Sequence, residues 1–444
     1  MDKVSATGTY LVGTARMDAL RQAAERGERV RLHGAVHAIR NMGGFSFVLI
    51  RIPDGVVQCV MDDSLMTVEP ILTEECCIEA EGQTRIDERA PGGLEIVLDT
   101  VRVLSRPHTV MPVAVNKWKM GMALETELAL RPITLRNTRE RAVFRIQAEI
   151  ARGFRDFLYE QGFVEIHTPK IVSASAEGGA NVFRLDYFGR KAYLAQSPQF
   201  YKQTMVGVYE RVFEVGSVFR AEKHNTARHL NEYVSLDFEM AYIRDFTDIC
   251  EMETAMLRFV FDRLKTVCGD AVRTMGVDLP VIGEIPMVRF DEAKRLVSEA
   301  YNRKIRDPYD LEPEEEVLIG RYFKETYDSD FVFVTHYPSK KRPFYAMDDP
   351  ADPRFTLSFD LLFRGMEVTT GGQRIHDYEE QVAKMRVKNL DPEDFTSYLM
   401  IHKHGMPPHG GLGVGLERLC MKLFDVPNVR RVSLFPRDLN RLEP

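Results

Sequence analysis

Two alternating apolar runs, Arg211–Val218 and Glu232–Ile243, flank a short polar stretch, and this pattern constrains the fold of the 444-residue chain more than any other. Alternation rich in β-branched and aromatic residues marks strands, so the pair reads as an antiparallel hairpin with a charged loop. Its neck is Phe219-Arg220-Ala221-Glu222, and the loop runs on through Lys223-His224-Asn225-Thr226-Ala227-Arg228-His229. Arg220 ends the first strand and Arg228 lies at the loop's far side, so two guanidiniums can converge on one anion. Planar forks suit phosphate and carboxylate oxygens. A charged hairpin alone is more often a solvated turn. A second stretch changes that weighing: Gly410-Gly411-Leu412-Gly413-Val414-Gly415-Leu416-Glu417-Arg418-Leu419. Alternating glycines let a strand backbone approach a flat ligand closely. The helical run Leu416–Phe424 follows, with Arg418 in its first turn.

An FRxE segment followed far downstream by GxGxGLERL resembles motifs 2 and 3 of the class II aminoacyl-tRNA synthetases. Phe163-Val164-Glu165-Ile166-His167-Thr168-Pro169, after a long helical stretch, resembles motif 1. The likeness spans the whole chain and is nearest to the compact, archaeal-type aspartyl branch of that family. It implies an α+β protein: an N-terminal OB-fold barrel that binds the anticodon (1–106), a hinge (107–136), and a catalytic domain (137–444). The last would be an antiparallel sheet flanked by helices, with a small helical insertion at about 250–330.

Composition is compatible with this and narrows it. A hydrophobic share of 44% and a net charge of −7 describe an ordinary soluble chain without a global nucleic-acid footprint, so RNA binding must use local basic faces. Six cysteines show neither CxxC nor metal spacing and read as reduced, mostly buried thiols of a cytoplasmic protein. No signal peptide and no membrane-length apolar run are read. No GxxxxGK[ST] or GxGxxG precedes a helix, which disfavours the two commonest nucleotide folds.

Strand signals at Val30–Ile39, Phe45–Arg51, Val56–Asp62, Cys76–Gln83 and Leu94–Leu104 suit a five-stranded barrel, preceded by a short amphipathic helix near Met17–Arg26. From Arg29 to Pro53 stand Arg29, Arg31, Arg40, Arg51, His33 and His37 without one Asp or Glu before Asp54. The expectation is a locally basic face with Phe45 and Phe47 interleaved, suited to single-stranded RNA. The resemblance implies that Phe47 stacks on the central anticodon base and Gln58 reads it. It also places His37 where strict and relaxed members differ, histidine going with enzymes that accept both tRNA(Asp) and tRNA(Asn).

For the catalytic domain the resemblance implies particular roles. Arg220 bridges the α-phosphate and the amino-acid carboxylate. Arg228 and His229 hold the outer phosphates, Tyr233 stacks on adenine and Glu222 accepts from its amine. Leu230, Gly415, Leu416 and Glu417 complete the ATP site, and Arg418 clamps the γ-phosphate or covers the adenine. Glu367 and Thr370 are the expected Mg²⁺ ligands, with Arg220, Glu367 and Arg418 the catalytic set. Glu177 and Gln199 take the α-ammonium of L-aspartate; Lys202 and Arg374 face its side-chain carboxylate, and Thr370 closes the pocket. The expected partners are ATP, L-aspartate, tRNA(Asp), tRNA(Asn) in the relaxed case, and a second copy of the chain through motif 1. The acidic run Glu312–Glu316 reads as a solvated helix start. Two alternatives stay open: an asparaginyl enzyme, and a catalytically inactive RNA-binding paralogue.

Overall fold

A computed structural model describes residues 16–66, 72–173, 181–223 and 225–444. The chain divides into two compact units, one formed by Met1–Met122 with Arg136–Thr138, the other by Ala123–Leu135 with Arg139–Pro444.

In the first unit the helix Met17–Arg26 turns Leu20, Ala23 and Ala24 inward and ends on Gly27, whose left-handed backbone (φ 60°) suits glycine. Five strands follow: Arg29–Asn41, Phe45–Ile52, Gly55–Asp62, Cys77–Ile86 and Leu94–Ser105. They close into a barrel in the order first, second, third, fifth, fourth. Alternate residues such as Leu32, Val48, Ile50, Val57, Cys59, Ile78 and Ile96 fill its interior. Residue 37 is an extra one in the first strand. Val36 pairs with Ile50 and Ala38 with Leu49, so His37 sits at a bulge, which locally re-aims a side chain.

The stretch expected as a hinge is divided between the units. Its Ala123–Leu135 part belongs to the second, with the short helices Leu124–Ala129 and Arg131–Thr134. Arg131 is wholly buried there; its guanidinium donates to the carbonyls of Leu434, Arg431 and Ser433 and meets Glu127 and Glu140.

The second unit is built on an eight-stranded sheet in the order Met287–Arg289, Phe331–Thr335, Ser358–Phe363, Met366–Gln373, His409–Gly415, Glu232–Ala241, Arg211–Phe219, Val164–Glu165. The central pairings are antiparallel, and one parallel pairing stands at each edge, so the sheet is mixed. The helices Thr138–Glu160 and Thr247–Val267 bury apolar stripes against one face: Ile146, Ile150 and Phe154 from the first, Leu257, Val260 and Phe261 from the second. The insertion contributes the helices Phe290–Tyr301 and Pro313–Tyr327. Among the described residues no helix is long and apolar enough to cross a membrane. All six cysteines are free thiols, with only Cys77 exposed.

Candidate active site

The hairpin forms as its alternation predicts, with a register running from Arg211 opposite Met240 to Phe219 opposite Glu232. Asn231 closes the loop's neck. Its carbonyl accepts from the Arg220 amide (2.8 Å), and its side chain donates to the carbonyls of Arg220 (2.6 Å) and Glu222 (3.1 Å). On the return strand the pleat turns Tyr233, Ser235, Asp237 and Glu239 to one face. Opposite them lie glycines: Gly415 pairs with Ser235, Gly413 with Asp237 and Gly411 with Glu239. A Cβ on Gly411 would collide with the Phe238 carbonyl and the Glu239 carboxylate, and one on Gly413 would stand 2.9 Å from Asp237 Oδ1. Two glycines expected to admit a ligand therefore first make room for two carboxylates.

Above this face opens a cavity of about 440 Å³. Its lining brings together most of the residues expected from the sequence: Arg220, Glu222, Arg228, His229, Leu230 and Tyr233 from the hairpin, Gln199 and Lys202 from the helix Gln199–Tyr209, Glu367 and Thr370 from the strand Met366–Gln373 with Arg374 just after it, and Gly415, Glu417 and Arg418 at the glycine strand's end. Leu416 is not in the lining; it is buried in the core behind. Glu177 lies outside the described residues. His37, Phe47 and Gln58 belong to the barrel unit.

At the end around Glu367 and Arg418, a second bulge does the positioning. Leu361 pairs with Thr369 and Leu362 with Glu367, leaving Val368 as the extra residue. In a regular strand residues 367 and 370 would point to opposite faces. The bulge returns them to one side, and Thr370 Oγ1 donates to Glu367 Oε1 at 3.1 Å. Burial would push the Glu367 carboxyl up, but Arg418, Arg342 and Arg220 with the Thr370 hydroxyl hold it below its ordinary value. Arg418 lies 3.4 Å from it. Glu417 turns away, accepting from the Val234 amide with both oxygens (3.1 and 3.2 Å), and burial raises its carboxyl to about 8.

The other end is a buried charge cluster. The Lys202 ammonium donates to Asp237 Oδ1 (3.0 Å) and to the Leu412 carbonyl (2.9 Å), and lies 3.2 Å from Glu239 Oε2 as an ion pair. Arg374 donates through Nε to Glu239 Oε1 (2.9 Å) and through Nη2 to the Gly411 carbonyl (2.9 Å). Two cations and two carboxylates make the cluster neutral. His409 supports it as a neutral ring: burial, partly opposed by Glu239, drops it to about 4, and its nitrogens face Gln203 and the Pro407 carbonyl.

Several residues in the lining and behind it were given no site role from the sequence. Arg342 lies over the Tyr337 ring (3.9 Å) and pairs with Asp360 (2.8 Å), whose carboxyl is raised by burial. Glu316 is buried, not solvated, and meets Arg228 at 2.5 Å; burial pushes it up to about 7 against the pull of that arginine. Glu315 is likewise buried, on Lys294. No local pattern marks these residues, because their partners come from strands and helices distant in sequence.

The family model described as tRNA synthetases class II (D, K and N) matches residues 123–439. The chain belongs to that family. A second model, the OB-fold nucleic acid binding domain, matches residues 30–104. This synthetase is 46% identical to the aspartate–tRNA(Asp/Asn) ligase of Deinococcus radiodurans, over 94% of this chain and 96% of that one. It is 45% identical to the protein of the same name from Thermus thermophilus, over 94% and 97%. Among solved structures, the asparaginyl-tRNA synthetase of Pyrococcus horikoshii complexed with asparaginyl-adenylate superposes with a TM-score of 0.88 at 29% identity, covering 98% of this chain and all of that one.

The barrel looks different from its expectation. Arg29 pairs with Asp99, Arg31 with Glu81, His33 with Glu79, and Arg51 is buried on Glu75. Most of the basic residues in the acid-free span thus meet carboxylates from elsewhere in the same unit. His37 is largely buried, and its carbonyl accepts from Asn116. Phe47 is half-buried, edge-on to Phe45, and Gln58 donates to Glu95.

Proposed function

We propose that this synthetase activates L-aspartate with ATP and transfers it to tRNA. The observation carrying this reading is the division of the cleft into an arginine-rich end around Glu367 and a buried Lys202–Asp237–Glu239–Arg374 end. In the first step the α-carboxylate of aspartate attacks the α-phosphorus of ATP and pyrophosphate leaves. Charge neutralisation and alignment supply the rate, with no general base. Arg220 draws the two anions together, Arg228 and His229 hold the leaving phosphates, Arg418 caps them, and Tyr233 and Glu222 hold adenine. Glu367, kept ionised, and the Thr370 hydroxyl fit Mg²⁺, which takes hard oxygens and keeps substrate phosphates as its other ligands. Bound there, the ion would neutralise the departing pyrophosphate. In the second step the terminal ribose hydroxyl of tRNA attacks the carbonyl carbon of the mixed anhydride, the bond to phosphate breaks, AMP leaves, and the substrate phosphate takes the hydroxyl proton.

Because the aspartate end is already neutral, selection rests on matching donors to acceptors. The Arg374 edge not spent on Glu239 and Gly411 offers N–H groups, and both oxygens of a carboxylate accept them. Asparagine would set its NH₂ against one of those donors, leaving a buried pair of donors unpaired. Lys202 acts from behind, holding Asp237 and Glu239 in place. ATP–pyrophosphate exchange without tRNA tests the assignment: robust exchange with aspartate and little with asparagine is expected, and the reverse would make this an asparaginyl enzyme.

The barrel binds the anticodon, Phe47 and Gln58 taking its central base, and the enzyme works as a cytoplasmic homodimer joined through motif 1. His37 and the names of the Deinococcus and Thermus relatives favour the relaxed form, charging tRNA(Asn) as well as tRNA(Asp). Charging both purified tRNAs with labelled aspartate decides this. A preference for tRNA(Asp) of about a hundredfold, some 2.7 kcal/mol, would overturn it.

A further inference from the structure

We propose that Glu316, contributed by the helical insertion, is a positioning residue for the pyrophosphate end of ATP: it holds the Arg228 guanidinium in the cleft and ties it to the strand that carries Glu367. The inference rests on the reading of the cleft given above.

One oxygen makes both connections. Glu316 Oε2 accepts from Arg228 Nη2 at 2.5 Å and from the Glu367 amide at 3.0 Å. Arg228 sits on a loop, where a long side chain has many rotamers to lose on binding phosphate. A fixed carboxylate removes much of that freedom before ATP arrives. The helix Pro313–Tyr327 is in turn fixed closely enough for this task. Its start carries a capping box between Glu312 and Glu315 with Pro313 in the first turn. Its middle lies flush on the turn before Glu367: a Cβ on Gly320 would stand 2.5 Å from the Gly365 amide, and one on Gly365 2.8 Å from Val317 Cα. Glu315, one residue away, is occupied by Lys294 and takes no part.

The test uses the full chain, measuring ATP–pyrophosphate exchange for Glu316→Gln, Arg228→Ala and the double variant. Glu316→Gln keeps an oxygen for the Glu367 amide but loses the charge that holds Arg228. We expect the KM for ATP to rise about tenfold, the usual effect of one charged hydrogen bond, with the KM for aspartate unchanged. Arg228→Ala should raise the KM for ATP at least as much, and adding Glu316→Gln to it should change nothing further. An unchanged KM for ATP in Glu316→Gln, equal rises for both substrates, or additive losses in the double variant would each overturn the proposal while leaving the cleft's assignment standing. If Arg228→Ala itself leaves the KM for ATP unmoved, the assignment of Arg228 fails and the proposal with it.

Discussion

The barrel and the catalytic sheet solve one geometric problem alike and one electrostatic problem differently. Each uses a single-residue bulge, at His37 and at Val368, to aim side chains that a regular strand would point elsewhere. Charge is treated in opposite ways. On the barrel, Arg29 and Arg31, each more than half exposed, meet partly exposed carboxylates from other strands. In the cleft, Lys202, Arg374, Asp237 and Glu239 are all nearly inaccessible. Exposed pairs are screened and cheap to open, so a polyanion can replace the acidic partners. Buried ones are costly to leave unpaired. The first arrangement suits a surface that exchanges ions with RNA, the second a pocket that must reject a near-isostere.

The widest gap between the regions should come from Arg220→Ala. Losing the residue proposed to face the reacting anions should cut aspartate-dependent exchange by ~10²–10³-fold or more. Anticodon-arm binding, measured by filter retention, should not change, since the determinants lie in separate units. Normal exchange would break the division of labour.

Next comes Lys202→Leu. Asp237 and Glu239 would then face each other without their shared cation, at a cost of roughly 3–5 kcal/mol in stability. The KM for aspartate should rise at least tenfold while that for ATP holds. An unchanged aspartate KM with an unchanged unfolding transition would mean that the cluster is not the selective end.

A smaller effect distinguishes a buried acid outside the cleft. Glu253, on the helix Thr247–Val267, is fully buried, and desolvation raises it from an ordinary 4.5 to about 8. The fold favours its neutral form. That stabilisation is complete below about pH 4.5 and is lost as pH climbs toward 8, because the folded state then holds a proton that the unfolded state has released. Glu253→Gln stays neutral throughout. In urea unfolding the parent should lose ground to this variant by up to ~1.4 kcal/mol per pH unit across that window. Parallel profiles would show that Glu253 is not held neutral.

The smallest effect belongs to the barrel. Arg31→Ala severs an exposed pair with Glu81 and should leave thermal unfolding nearly unmoved. It should nevertheless weaken tRNA binding and lessen its salt dependence if Arg31 exchanges Glu81 for phosphate. No change in either would assign that pair to the barrel's surface alone.

What could be read from sequence follows from range. The barrel strands, the motif 2 hairpin and the long helix Thr138–Glu160 were legible within one to three residues, because alternation and helical periodicity are local. That Arg220, Glu367 and Arg418 gather in one cleft was legible through motif likeness. The partners were not. The run without acids between Arg29 and Pro53 looked basic because Glu79, Glu81 and Asp99 reach it only through strand register. Glu316 looked solvated because its partner Arg228 is 88 residues away. Lys202 looked free because Asp237, Glu239 and the Leu412 carbonyl meet it from two other strands.

The glycines opposite Asp237 and Glu239 also decide how this pocket could be retooled. At position 411 any other residue would strike the neighbouring backbone and the Glu239 carboxylate at once. The floor of the site is therefore closed to gradual change, since even alanine is too large there. A descendant drifting toward another amino acid would have to alter the walls, through Lys202, Arg374 or the two carboxylates, and carry the same bare strand unchanged beneath them.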